Sequence, residues 1–503
     1  MSLFRVLLVA LVAMAASSAQ SLADFEKRVT EFTLANGLHF IVLDRHDAPV
    51  VSFHSWVNAG SVNDPSGETG IAHMFEHMAF KGTPQIGTKD YAAEKQAMDE
   101  VERIYDDYDA ERARGRKADP ARLQALEAGL KAAMEKANSY VIPNQYTEII
   151  DENGGVGMNA ETAVDATQYY YSFPSNRIEL WFLLEAERFA EPVFREFYKE
   201  RDVVREERRM RTESDPQGQL VEALQATAFE AHPYHVGAVG WASDIENFRL
   251  KEAVRFYREY YVPANITIAI AGDVDPKQVR QLAEKYFSRI PTGPLPAGVR
   301  TVEPAQNGPK TVAVQSASQP LALVAYKRPD QNDKDDPVFD VISDILSAGR
   351  TSMLYTDMVR DKQLSLAAQT APTYPGGKYP NLFAFFLVPN MGRSLEDNEK
   401  ECYAVIERLK NQKVDDETLT RVKTRIRAGV IRQLDSNEGL ARQLTFYYVN
   451  YGDWRKLFTG LEDIDRVTAG DVQRVARKYF VPEGRTVAWI AAPSPEESKG
   501  ETK

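Results

Sequence analysis

The sequence predicts an α+β protein built from two related halves, and three observations carry that reading. Segments with strand character alternate along the chain with runs of strong helix formers. One stretch repeats: "IENFRLKEAVRFYREYYVPANITIAI" from Ile245 matches "IDRVTAGDVQRVARKYFVPEGRTVAW" from Ile464 without a gap. Between the copies, "PTGPLPAGVRTVEPAQNGPK" runs from Pro291 to Lys310 with the proline and glycine content of a linker. In the repeat, Arg255 matches Arg474, Arg258 matches Arg477, Tyr260 matches Tyr479 and Pro263 matches Pro482. Both copies then enter an apolar strand, so the shared unit is a helix, a "Y-[YF]-V-P" exit and a strand. The expected organisation is a leader at 1–23, an N-terminal half at 24–290, the linker at 291–310 and a C-terminal half at 311–503.

Taken in order, "MSLFRVLLVALVAMAASSAQSLADFEKR" puts Arg5 ahead of an apolar run from Val6 to Ala16, followed by small residues that suit cleavage after Ala19 or Ala23. This is the pattern of a secretory signal peptide, so a periplasmic or secreted protein is expected, with an uncleaved anchor as the alternative. No later stretch approaches the roughly 20 apolar residues of a membrane span, so no membrane association is expected after signal removal. From Val29 to Val57 apolar and polar residues alternate around an Asn36-Gly37 turn, which predicts a β-hairpin and a further strand. Tyr91 to Tyr140 reads as a helical hairpin broken near "GRKADP", a solvated insertion without chemistry of its own. "ITIAIAGDV" from Ile266 reads as a buried strand, and "DPKQVRQLAEKYF" from Asp275 as a helix.

Charge and cysteine usage narrow the function. The net charge of −12 disfavours nucleic acid or an anionic membrane as partner. Cys402 is the one cysteine, which removes both an intramolecular disulfide and a thiolate metal site. Any metal must be held by histidine and carboxylate.

"GIAHMFEHMAF", Gly70 to Phe80, supplies candidates. Ile71, Met74, Phe75 and Met78 recur at helical spacing as one apolar face, while His73, Glu76, His77 and Phe80 repeat that spacing on nearly the opposite face. Four residues of helix rise about 6 Å, so the two imidazoles can converge on one ion. Glu76, one turn after His73, can take a proton from water activated beside it. The alternative is a pair of ordinary surface histidines. A catalytic zinc also needs a third protein ligand. "FREFYKERDVVREERRMRTES" offers a carboxylate on a predicted helix, on which Glu200, Val203, Val204 and Glu207 share a face. Spacing alone does not choose between Glu206 and Glu207, and a solvated ion-pair helix is the plainer reading.

"HMFEHMAFKGT" resembles the signature of the pitrilysin/insulinase family of inverted zinc metallopeptidases, in the branch of mitochondrial-processing-peptidase β subunits and their bacterial relatives. The resemblance covers nearly all of the mature chain. It implies two homologous halves, each a mostly antiparallel sheet with helices packed on it, with Zn2+ as cofactor and a peptide as substrate. It implies Glu207 as the distal ligand and Glu200, seven positions earlier, as a carboxylate supporting catalysis. "GGVGMNAETAVDATQYYYSFP" is similar to the family's substrate-holding strand, which implies that Asn159 and Ala160 lie beside the scissile peptide. "AHPYHVGAVGW" is similar to a structural landmark, so His232 and His235 are not expected ligands.

"PVFDVISDIL", the counterpart of the zinc helix in the second half, has neither histidine nor a base. "SAGRTSMLYTDMVRDKQLSLAA" resembles the segment holding a substrate-binding arginine and a tyrosine. Arg360 matches the arginine, but Leu366 stands where the tyrosine is expected. Leucine cannot donate toward an oxyanion, which points to a homodimer or heterodimer whose homologous partner supplies the hydroxyl. Glu207 also lies farther from His77 than is usual in the family, and the 91–140 insertion accounts for the excess.

The expected function is an exported zinc endopeptidase acting on peptides or unfolded segments in a chamber between domains. Two other classes are a non-catalytic assembly subunit, opposed by the intact H-x-x-E-H, and a polyanion-binding module built on "REERRMR", opposed by Glu206, Glu207 and the overall acidity.

Overall fold

Strands form where the alternation is clearest. In a computed structural model describing residues 22–492, Val29–Thr33 (β1) and His39–Asp44 (β2) pair antiparallel, with Gly37 at φ +97° in the connecting turn. Residues 1–21, most of the expected export signal, lie outside the described residues. With Val50–Val57 (β3), Val156–Thr162 (β4), Thr167–Pro174 (β5) and Ile266–Gly272 (β6) they form a sheet of order β1-β2-β6-β3-β5-β4. The β2–β6 pair is parallel and the others antiparallel.

The second sheet repeats the plan. It holds Lys310–Gln315 (β7), Ala322–Arg328 (β8), Ser365–Tyr374 (β9), Asn381–Pro389 (β10) and Arg485–Ala491 (β11) in the order β7-β11-β8-β10-β9. Here β7–β11 is the parallel pair. Setting β1 aside, the two sheets correspond strand for strand, and the sequence repeat falls on β6 and β11. The fold is therefore α+β, with two homologous and mostly antiparallel halves.

Helices fill the layers. Ile71–Met78 (α1) follows β3, and Tyr91–Arg112 (α2) with Pro120–Asn138 (α3) makes the helical hairpin. Phe197–Arg208 (α4), Pro216–Ala228 (α5) and Leu250–Tyr260 (α6) complete the first half for this purpose. The second half contributes Asp336–Ser347 (α7), Asn437–Tyr451 (α8) and Ala469–Tyr479 (α9). Alternate residues of a strand face opposite sides, and the first sheet uses both. Phe40 and Val42 face the helices of their own half, whereas Ile41, Leu43, Ala269 and Ala271 pack against Leu440, Ala441 and Leu444 of α8 from the other half. The exchange is reciprocal: Leu220, Leu224 and Ala228 of α5 pack on Leu323, Ala384 and Ala488 of the second sheet. This explains why every residue of β6 is buried.

The hairpin is more than a solvated insertion. The chain breaks between its helices where Asp119 caps α3 and Pro120 takes the first helical position. Its base, however, belongs to the core: Tyr105 stacks on Tyr198 with centroids 4.1 Å apart, and the buried Glu94 pairs with Arg195. The Arg195 guanidinium donates to Glu94 at 2.8 and 3.3 Å, to the carbonyls of Thr83 and Ile86 at 2.9 Å each, and to that of Lys81. Gly82 and Gly87, both at φ +91°, leave room for it, since a Cβ at either would lie 2.8 or 2.6 Å from Arg195 Nη1. Glu94→Ala strands a buried cation, and we expect it to lower unfolding free energy by about 3–5 kcal/mol in chemical denaturation. A loss below about 1 kcal/mol would show that the clasp carries little stability.

Candidate metal centre and substrate cleft

The apolar face of α1 anchors the helix: Ile71, Met74, Phe75 and Met78 are each at most 1% exposed. Its N-terminus is fixed by Asp64, whose carboxylate accepts from the N–H groups of Gly70 at 2.7 Å and Ala72 at 3.1 Å. The 231–241 landmark braces the same end. The Trp241 N–H donates to Thr69 Oγ1 at 2.9 Å, and the Gly240 carbonyl accepts from Arg208 at the end of α4. That loop therefore fixes the start of α1 relative to α4. His232 and His235 bond within it: His232 Nδ1 accepts from the Tyr234 N–H, and His235 Nδ1 lies 2.9 Å from the His232 carbonyl.

On the other face, His73 and His77 stand with ring centroids 4.8 Å apart at 87°. Glu207 arrives from α4, its Oε2 lying 3.7 Å from His73 Nε2 and 3.3 Å from His77 Nε2. One ligand atom from each of the three residues falls within 4.8 Å of the others. Glu206 points elsewhere, pairing with Arg209 on the surface. Val203 departs from the face assigned to it: it is 45% exposed, while Val204 is buried.

A second layer holds this trio. Glu200 Oε1 lies 2.9 Å from His77 Nδ1, and its other oxygen lies 2.5 Å from Lys81 Nζ. Arg211 Nη2 lies 2.9 Å from Glu207 Oε1. Burial lowers the pKa of His77, but hydrogen bonds to Glu200 and Glu207 outweigh it and raise His77 to about 9. Burial, reinforced by the charge of His77, depresses His73 to about 4. Burial acts upward on Glu200, yet hydrogen bonds from His77 and Lys81 pull it down to about 2. Glu207 is lowered chiefly by its hydrogen bond with His77. Without metal the cluster thus holds a proton on His77, which a divalent cation must displace.

Two imidazoles and a carboxylate from two helices form a donor set that suits zinc. Among the described residues, Glu76 Oε2 is buried beside them with no hydrogen-bond partner, as is His73 Nδ1. Burial raises the pKa of Glu76, partly offset by hydrogen bonds from Thr162 of β4.

A cavity of about 500 Å³ opens at this point, lined by Glu76, His77, Met158, Asn159, Ala160 and Glu200 among others. Asn159 and Ala160 lie on β4, which among the described residues pairs with β5 alone and leaves its other edge free. Every residue lining the cavity comes from the first half. Arg360 is 56% exposed and pairs with Asp361, and Leu366 is 55% exposed on β9. In the second half, counting back from Gly82 and Gly349, both at positive φ, sets Asp340 opposite His73, Ser343 opposite Glu76 and Asp344 opposite His77. The counterpart helix therefore carries acids, although no histidine. Asp344 is held by Arg425, with Nε 2.9 and 3.0 Å from its oxygens.

Residues 40–102 and 131–238 match the family model Insulinase (Peptidase family M16), and residues 247–426 match Peptidase M16 inactive domain. The chain belongs to the insulinase (M16) peptidase family. Within it, the zinc protease PqqE of Helicobacter pylori is 28% identical over 470 residues, covering 91% of each chain. The probable mitochondrial-processing peptidase subunit beta of Arabidopsis thaliana is 23% identical, covering 92% of this chain and 78% of its own length. The crystal structure of a protease from Helicobacter pylori superposes with a TM-score of 0.77 at 26% identity, over 92% of this chain and 99% of that one. The M16 match skips residues 103–130, the distal part of the helical hairpin.

Lys81, Arg195 and Arg211 escaped the sequence reading. Lys81 sits four residues after His77, a spacing that could have flagged it; Arg195 and Arg211 carried no signal beyond a crowd of charges.

Proposed function

We propose that this M16 peptidase is an exported zinc endopeptidase that hydrolyses peptides or unfolded segments. The observation that carries the proposal is the convergence of His73, His77 and Glu207 beside the buried Glu76, in a cleft that also exposes the free edge of β4. Bound at the three ligands, zinc would supply Lewis acidity toward the scissile carbonyl and toward water. Glu76 then accepts the proton of the attacking water and returns it to the departing amine. Glu200 fixes the His77 ring, with Lys81 holding Glu200 in turn. The N–H and C=O groups of β4 around Asn159 and Ala160 take the substrate backbone as an added strand.

A homologous subunit belongs to the proposal. Arg360 lies outside the cleft of its own chain and Leu366 lacks a hydroxyl, so a second chain closes the chamber; a non-identical homologous chain supplies the tyrosine, whereas an identical one would carry the same Leu366. A non-catalytic subunit is the other reading, and the inactive-domain match is the observation behind it. That match covers 247–426 and so contains none of His73, Glu76, His77 or Glu207.

The test is cleavage of a peptide library by the mature protein, alone and with any homologous chain encoded nearby. A chelator is expected to remove at least about nine-tenths of the cleavage, and added zinc to restore it. Chelator-resistant cleavage would reject the proposal.

A further inference from the structure

The second half contains a cavity of about 630 Å³, remote in sequence from the metal ligands. It lies between α7, α8 and the helix Lys456–Arg466. Among the described residues, three partly buried polar groups on its wall have no hydrogen-bond partner, the Asp340 carboxylate and the hydroxyls of Tyr447 and Tyr451, and at the exposed rim the Asn332 amide and the Lys334 ammonium also have none. The other acids are already engaged. Asp336 accepts from the buried Arg328, and Asp463 is paired with Lys456 and, at 2.9 Å, with Arg466. Arg474 lies 2.8 Å from Asp335 and 3.2 Å from Asp471. Lys334 at the rim is exposed and makes no ion pair.

Asp340 stands one helical turn beyond Asp336; Arg328 acts on both carboxylates and Lys456, itself paired with Asp463, acts on Asp336, so Asp340 is left without an ion pair of its own. Burial, with Asp336 adding to it, pushes Asp340 up to about 7, as expected of an acid lacking a counter-ion. The two tyrosine rings stack with centroids 5.6 Å apart at 26°; Lys456 Nζ already lies 5.9 Å from the Tyr451 centroid, and the Tyr447 ring, over which no cation is placed among the described residues, is a face that attracts one. Ile426, Val430 and Leu461 add an apolar part to the wall. An anion would meet the excess negative charge. A hard divalent cation wants about six or more oxygen ligands, and a single uncommitted carboxylate does not provide them. An organic cation satisfies both the charge and the walls.

We propose that this cavity binds an ammonium or guanidinium group on an aliphatic stem, with Asp340 as counter-ion, the Tyr447 hydroxyl accepting from the head group, and the rings of Tyr447 and Tyr451 flanking the stem. The group could belong to a free amine or to a basic side chain of a peptide, and the probes distinguish the two.

Calorimetric titration of the full chain with n-pentylamine, with N-acetyl-lysine amide and with the neutral n-pentanol tests the proposal. We expect saturable one-to-one binding of at least one amine and none of pentanol. Tighter binding of pentylamine assigns the site to free amines, and tighter binding of the lysine amide to peptides. Asp340→Asn is expected to weaken binding about tenfold or more while leaving zinc content unchanged. Tyr447→Phe, which keeps the ring, is expected to weaken it about threefold by removing one acceptor, and it serves in full if Asp340→Asn does not fold. No saturation by either amine, equal binding of pentanol, or wild-type affinity in the folded variant would overturn the assignment.

Discussion

Glu76→Gln is expected to lower peptide cleavage about 10²- to 10⁴-fold while zinc content stays at the wild-type level. The amide keeps the shape of the side chain and gives up only its capacity to take a proton. The site isolates that capacity: Glu76 Oε2 is buried without a partner among the described residues, and Thr162 restrains the carboxyl group from β4. Glu76 is also not among the three converging ligands, so its loss leaves the donor set intact. The measurements are cleavage of one defined peptide and zinc per chain on the same preparation. Cleavage within about tenfold of wild type, with zinc in place, would remove Glu76 from the chemistry.

How much of this was legible in the sequence depended on how local each feature is. The trio on α1 is local, since spacings of three and four residues define a helix face without any tertiary information. The internal repeat was equally plain, because one supersecondary unit had been written twice. The distal ligand was not. Glu206 and Glu207 lie about 100° apart on a helix coated with charge, and such a helix has no apolar stripe from which to read its phase. Family resemblance pointed to Glu207, and the misplaced Val203 records how poorly periodicity alone orients α4. The exchange of α5 and α8 between the halves was invisible for a different reason. An apolar face states that a helix is covered, not which sheet covers it. The same limit hid the hairpin's role: Glu94 reads as one more surface acid until Arg195, far along the chain, is found buried against it.

Glu207→Ala is expected to drop zinc from one per chain to near none after dialysis, an affinity loss of at least about 10²-fold, with the fold retained. Two consequences of the geometry act together. The first is the donor count: α1 contributes both imidazoles, so Glu207 is the one carboxylate of the trio and the only ligand from α4. The second is electrostatic. Arg211 sits 2.9 Å from Glu207 Oε1, and removing the carboxylate leaves that guanidinium uncompensated close to where a divalent cation must bind. Glu206→Ala provides the matched comparison, because it removes an acid from the neighbouring position that pairs only with the exposed Arg209. Its zinc content should equal that of wild type, since surface ion pairs contribute little. Circular dichroism on both variants separates metal loss from unfolding. Full zinc occupancy in folded Glu207→Ala, or loss of zinc in Glu206→Ala, would mean that the cluster of His73, His77 and Glu207 is not the metal centre.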